Sequence, residues 1–72
     1  MQYCIEVELP NDDRDITKVQ SAVNLELKKH NITPVTLYVT KKGCRVISDR
    51  PFLENIDIIL QILRRKWFFA VR

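Results

Sequence analysis

Val35-Thr36-Leu37-Tyr38-Val39-Thr40-Lys41-Lys42-Gly43-Cys44-Arg45-Val46-Ile47-Ser48 reads as two strands joined by a tight turn. Val35, Leu37 and Val39 alternate with Thr36, Tyr38 and Thr40, a period of two that sends apolar side chains to one face and polar ones to the other. The residues are largely β-branched or aromatic, which suits a half-buried pleated surface. Gly43 can take the left-handed backbone of a short hairpin turn, so a third strand is expected over residues 44–48. A two-residue turn at Lys41 and Lys42 places Cys44 and Val46 inside. A three-residue turn with a bulge would place Arg45 and Ile47 there instead, and a buried guanidinium is the costlier choice. The first register is preferred.

Working back toward the start, Asn31-Ile32-Thr33-Pro34 ends a helix. That helix is expected from Ile16 to Lys29, with Ile16, Val19, Val23 and Leu27 on one stripe, Ala22 and His30 beside it, and Leu25 on the far side. Lys28, Lys29 and His30 at its end complement the helix dipole. The turn Asn11-Asp12-Asp13-Arg14-Asp15 supplies capping oxygens at its start. Before it, Tyr3, Ile5, Val7 and Leu9 alternate with Cys4, Glu6 and Glu8, a first strand stopped by Pro10.

Working forward, Asp49-Arg50-Pro51 reads as a cap with proline in the first helical turn. A second helix is expected over residues 51 to about 65. Phe52, Ile56, Ile59 and Leu63 form its central stripe, flanked by Leu53, Leu60 and Ile62, with Ile58 outside that arc. The last seven residues, Lys66-Trp67-Phe68-Phe69-Ala70-Val71-Arg72, carry two readings. Alternation of Trp67, Phe69 and Val71, together with aromatic and β-branched content, favours a fourth strand. The competing reading is one further helical turn with an aromatic end.

The resulting order, βαββα with a fourth strand, resembles the ferredoxin-like split βαβ unit. The fold class is therefore α+β: two helices on one face of an antiparallel sheet of order 4-1-3-2, with right-handed crossovers. That resemblance is topological and by itself assigns no function. In such a sheet the first and third strands are antiparallel neighbours. Cys4 and Cys44, each near the start of its strand, then sit at opposite ends, so two free thiols are expected.

A chain of 72 residues is one domain and buries only about 60% of its unfolded surface, which leaves it marginal unless association helps. Its apolar and charged fractions, 46% and 29%, are those of a globular protein. The net charge of +3 is unevenly laid out. Residues 1–17 carry five acids against Arg14 alone, whereas residues 18–72 carry eleven Lys or Arg against four acids. This polarity favours head-to-tail contacts or an acidic partner.

The first ten residues contain two glutamates and do not read as a secretory signal, and no stretch is long and apolar enough for a bilayer span. A cytoplasmic protein without membrane association is expected.

No constellation points to catalysis. One histidine and two unpaired cysteines make no zinc site, and no metal or other cofactor is expected. An RNA-recognition surface needs aromatics on the sheet for base stacking, and after Lys42-Gly43 the third strand carries none. Acylphosphatase, an enzyme of the ferredoxin-like fold, needs a glycine-bearing anion loop after the first strand. The loop here has no glycine and three carboxylates, Asp12, Asp13 and Asp15. No small-molecule substrate is evident.

The Ile5-Glu6-Val7 start, the run Ile59-Leu60-Gln61 in the last helix and the spacing from Val35 to Trp67 are similar to the small DinI family of RecA-modulating proteins. That family ends in an acidic helix and tail thought to engage RecA. Arg64-Arg65-Lys66 stands there in this chain, so the resemblance implies no RecA-binding residues here.

The expectation is a non-enzymatic interaction or regulatory module, self-associating or binding a protein partner through the second helix and the aromatic tail. Ile58, Trp67, Phe68 and Phe69 are the expected contact residues, because they exceed what a small core can absorb. The alternative is a nucleic-acid-binding domain using Lys41 and Lys42 at the hairpin with Arg64, Arg65 and Lys66 at the helix end.

Overall fold

The computed structural model of the chain describes residues 2–10 and 15–69. Its elements are β1 (Tyr3–Glu8), α1 (Ile16–Lys29), β2 (Thr36–Thr40), β3 (Gly43–Ser48), a single 3-10 turn (Leu53–Asn55) and α2 (Ile56–Phe69). The three strands form one open antiparallel sheet of order β1-β3-β2, which makes the chain an α+β fold.

The hairpin closes in the preferred register. Thr40 pairs with Gly43 and Val39 with Cys44, leaving Lys41 and Lys42 as the turn. Cys44 and Val46 are buried and Arg45 is exposed. The reason for the glycine differs from expectation. Among the described residues Asn31 is the only non-glycine with positive φ, so both turn lysines keep negative φ. Gly43 comes after the turn, at φ 153°, where a Cβ would run into the Val7 carbonyl oxygen and the Leu9 amide nitrogen. Close approach of β1, rather than the turn itself, demands glycine.

Asp15 caps α1 by accepting a hydrogen bond from the Thr17 amide at 3.0 Å. The residues before it, Asn11 to Arg14 with Asp12 and Asp13, lie outside the described residues. Asn31, at φ 59°, ends the helix in the left-handed conformation. Its amide donates to the Lys28 carbonyl and that of Ile32 to the Leu27 carbonyl, the pair of bonds that closes a Schellman motif. Ile32 is thereby brought into the core.

α1 also covers the outer edge of β2. The Asn24 side-chain amide donates to the Val35 carbonyl and accepts from the Val35 N–H, each at 2.9 Å, while Gln20 Oε1 accepts from the Leu37 N–H at 2.7 Å. One helical turn separates the two side chains, so they meet alternate residues of the strand. The start of an edge that would otherwise offer unpaired backbone groups is thereby satisfied within the chain.

The core lies between the inward face of the sheet and the two helices. Val7, Leu37, Cys44 and Val46 from the sheet join Val19, Val23 and Leu27 of α1 and Ile59, Ile62, Leu63 and Trp67 of α2. Leu25 is exposed, as its place on the wheel predicted. His30 and Leu53 are exposed rather than flanking the core.

The segment expected as a fourth strand is helical through Phe69, and Ala70, Val71 and Arg72 lie outside the described residues. The cause is visible in the stripe. Ile56, Ile59, Leu63 and Trp67 continue one helical period, and at the fourth of these positions the indole is 1% exposed. Trp67 Nε1 donates to the Pro10 carbonyl at 2.8 Å. Burial of one large side chain with its polar atom satisfied outweighs the β propensity of its neighbours.

Both cysteines are free. Cys4 pairs with Ile47 and Cys44 with Val7, so the thiols are three rungs apart along the β1–β3 ladder, and Cys4 is exposed where Cys44 is buried. Burial pushes the Cys44 thiol up from 9.0 to about 11. A thiol that ionises near pH 9 when unfolded and near 11 when folded stabilises the fold fully below pH 9. That contribution declines as pH rises to about 11 and should amount to up to about 2–3 kcal/mol. Denaturant unfolding between pH 8 and about 11 should reveal the decline, and Cys44→Ala should flatten it. A thiol reagent should find one reactive cysteine in native protein and both after unfolding.

Candidate interaction surfaces

α2 presents two faces. Its inner stripe closes the core, and on the outside Ile58, Gln61, Arg65 and Phe68 follow one another at helical spacing. Ile58 is 38% and Phe68 57% exposed. Trp67, expected with them as a contact residue, is instead a core residue. The side chain of Phe69 lies outside the described ones.

The basic residues divide differently from expectation. Arg64 and Arg65 are exposed. Lys66 is half-buried, with its Nζ 3.7 Å from Glu26 Oε2, and Lys29 approaches the same carboxylate at 3.8 Å. Glu26 therefore offsets the charge of Lys66 inside the expected basic cluster. Lys41 and Lys42 are exposed at the hairpin tip. The Lys42 carbonyl accepts from the Leu9 amide at 3.0 Å, and Pro10 accepts from Trp67, so the tip and the last turn of α2 are tied to adjacent residues.

The outward face of the sheet carries Cys4, Glu6 and Glu8 on β1, Arg45 and Ile47 on β3, and Thr36, Tyr38 and Thr40 on β2. Glu6 lies opposite Arg45, and Arg45 opposite Tyr38, in one cross-strand row. Opposite charges so placed support the sheet modestly. Tyr38 is the only aromatic on this face among the described residues, which is too few for a stacking platform.

The sheet's two edges differ. That of β2 is bonded to Gln20 and Asn24. That of β1 is uncovered: among the described residues, β3 is the one element whose backbone packs against it. No part of the sequence reading singled out this edge. The alternation of Glu6 and Glu8 on the first strand was the available signal, but it marks an edge only once the strand order is known.

Among the described residues no cluster of His, Cys, Asp and Glu could hold a metal ion, and no helix is long and apolar enough to cross a membrane. No family model, no curated protein and no solved structure matches the chain.

Proposed function

We propose that this chain is a small non-enzymatic interaction module that associates with itself through the outer face of α2. The observation that carries this reading is the pairing of exposed Ile58 and exposed Phe68 on the same helix whose inner stripe completes the core. A domain this small gains stability when such a face is covered. Arg65 between them would lie at the rim, its stem covering apolar surface and its head in water.

The strand order β1-β3-β2, with a helix after β1 and another after β3, supports a ferredoxin-like split βαβ reading of the first five elements. A second functional reading, nucleic-acid binding through Lys41, Lys42, Arg64 and Arg65, is supported by the contacts that tie the hairpin tip and the end of α2 to Leu9 and Pro10.

Sedimentation velocity over a wide concentration range should show a concentration-dependent dimer, and the double variant Ile58→Ser, Phe68→Ser should sediment as a monomer with its melting temperature little changed. A wild-type chain that stays monomeric throughout would remove the reading. The same samples titrated with single-stranded DNA at low salt decide the second reading, which requires binding that weakens steeply with salt.

A further inference from the structure

We infer that the outer edge of β1 is a docking site for an extended, basic segment of a partner protein, which adds to the sheet as a fourth strand. This surface is separate from the outer face of α2 and goes beyond the reading given above. The backbone geometry follows from the ladder. The Leu9 amide donates to the Lys42 carbonyl, so residue 9 directs its backbone polar groups toward β3. Antiparallel pairing alternates this direction residue by residue, so Tyr3, Ile5 and Val7 also point toward β3. Cys4, Glu6 and Glu8 therefore present their N–H and C=O groups to the opposite side, where no described element covers them. β2 differs: Gln20 and Asn24 occupy the start of its outer edge, at Val35 and the Leu37 N–H, whereas no described side chain is bonded along that of β1.

Charge selects the occupant. Glu6 and Glu8 flank this edge on the outward face, and both are exposed. A second copy pairing β1 with β1 would bring four glutamates together on one face, the like-charge arrangement by which edge strands avoid self-pairing. A strand with Lys or Arg at alternate positions would place cations opposite Glu6 and Glu8. On the other face its intervening apolar residues would cover Tyr3 and Ile5, which are only half-buried against the core. The same position beside the first strand is where the 4-1-3-2 order expects a fourth strand, and α2 runs helical through Phe69 without supplying it.

The test is amide hydrogen exchange by NMR, with and without an end-blocked heptapeptide of alternating Lys and Val. In the free protein the amides of Cys4, Glu6 and Glu8 should exchange fast, and those of Ile5 and Val7 slowly. The peptide should slow the first set. N-methylation of each peptide Lys keeps the charge but removes the backbone edge that faces β1, and should abolish the protection. The double variant Glu6→Gln, Glu8→Gln should bind roughly fivefold more weakly. Three results would overturn the inference: protection of the three amides in the free protein, equal binding of the N-methylated peptide, or no binding at about 1 mM peptide. None of them bears on sedimentation through α2, so the two readings fail separately.

Discussion

Trp67→Ala should lower the unfolding free energy by about 3–5 kcal/mol, enough to leave much of a 72-residue chain unfolded at room temperature. The indole is the largest fully buried side chain among the described residues, and its loss leaves a cavity in the core. It also removes the 2.8 Å hydrogen bond that joins residues 57 apart in sequence, leaving the Pro10 carbonyl without its indole donor. Trp67→Phe separates the two effects. It keeps most of the ring burial and loses the donor, so a smaller cost of about 1–2 kcal/mol is expected, arising from the lost hydrogen bond and slight underpacking. Urea unfolding followed by circular dichroism gives both values. If Trp67→Ala unfolds with an unchanged midpoint, the core described above is wrong at its most heavily used position.

Gly43→Ala should cost about 2–4 kcal/mol, combining a strained backbone at φ 153° with displacement of the neighbouring strand. The Cβ would meet backbone atoms, the Val7 carbonyl oxygen and the Leu9 amide nitrogen, which cannot rotate aside as a side chain could. Relief requires β1 to move away from β3 at the end where Leu9 bonds to Lys42. Loss of exchange protection at the Leu9 amide, with β2–β3 amides still protected, would identify that movement. An alanine tolerated at no cost would mean that β1 can retreat freely there. A conventional turn glycine would respond differently, losing hairpin register first.

The expectations held where local periodicity and packing agreed. The limits of α1, its buried stripe and the exposure of Leu25 all followed from a clean 3.6-residue repeat ending in Lys28, Lys29 and a left-handed Asn31. The hairpin register followed from the cost of burying Arg45. The tail did not follow, because Trp67, Phe68 and Phe69 satisfy two periods at once. As a strand Trp67 would face inward by alternation. As a helix it faces inward because it stands four residues after Leu63, and only a partner for its N–H distinguishes the two. That partner, the Pro10 carbonyl, belongs to a loop at the other end of the chain.

The candidate surfaces divide in the same way. Ile58 and Phe68 were legible as apolar residues beyond the needs of the core, and both are exposed. Trp67 belongs to the core instead, its N–H held by an acceptor that no neighbouring residue supplies. Lys66 follows Arg64 and Arg65 in the chain, but Glu26 on another helix offsets its charge.

The sequence by itself determined the order of the first four elements, β1, α1, β2 and β3, the faces of α1 and of the hairpin, and the free state of the two thiols, because each depends on near neighbours or on strand direction alone. The tertiary structure decided the rest. Strand order left β1 with an uncovered edge, Gln20 and Asn24 covered the start of that of β2, and the contact between Trp67 and Pro10 made the tail of α2 helical. Each of these turns on hydrogen bonds between groups far apart in the chain, and no local propensity encodes where such partners will meet.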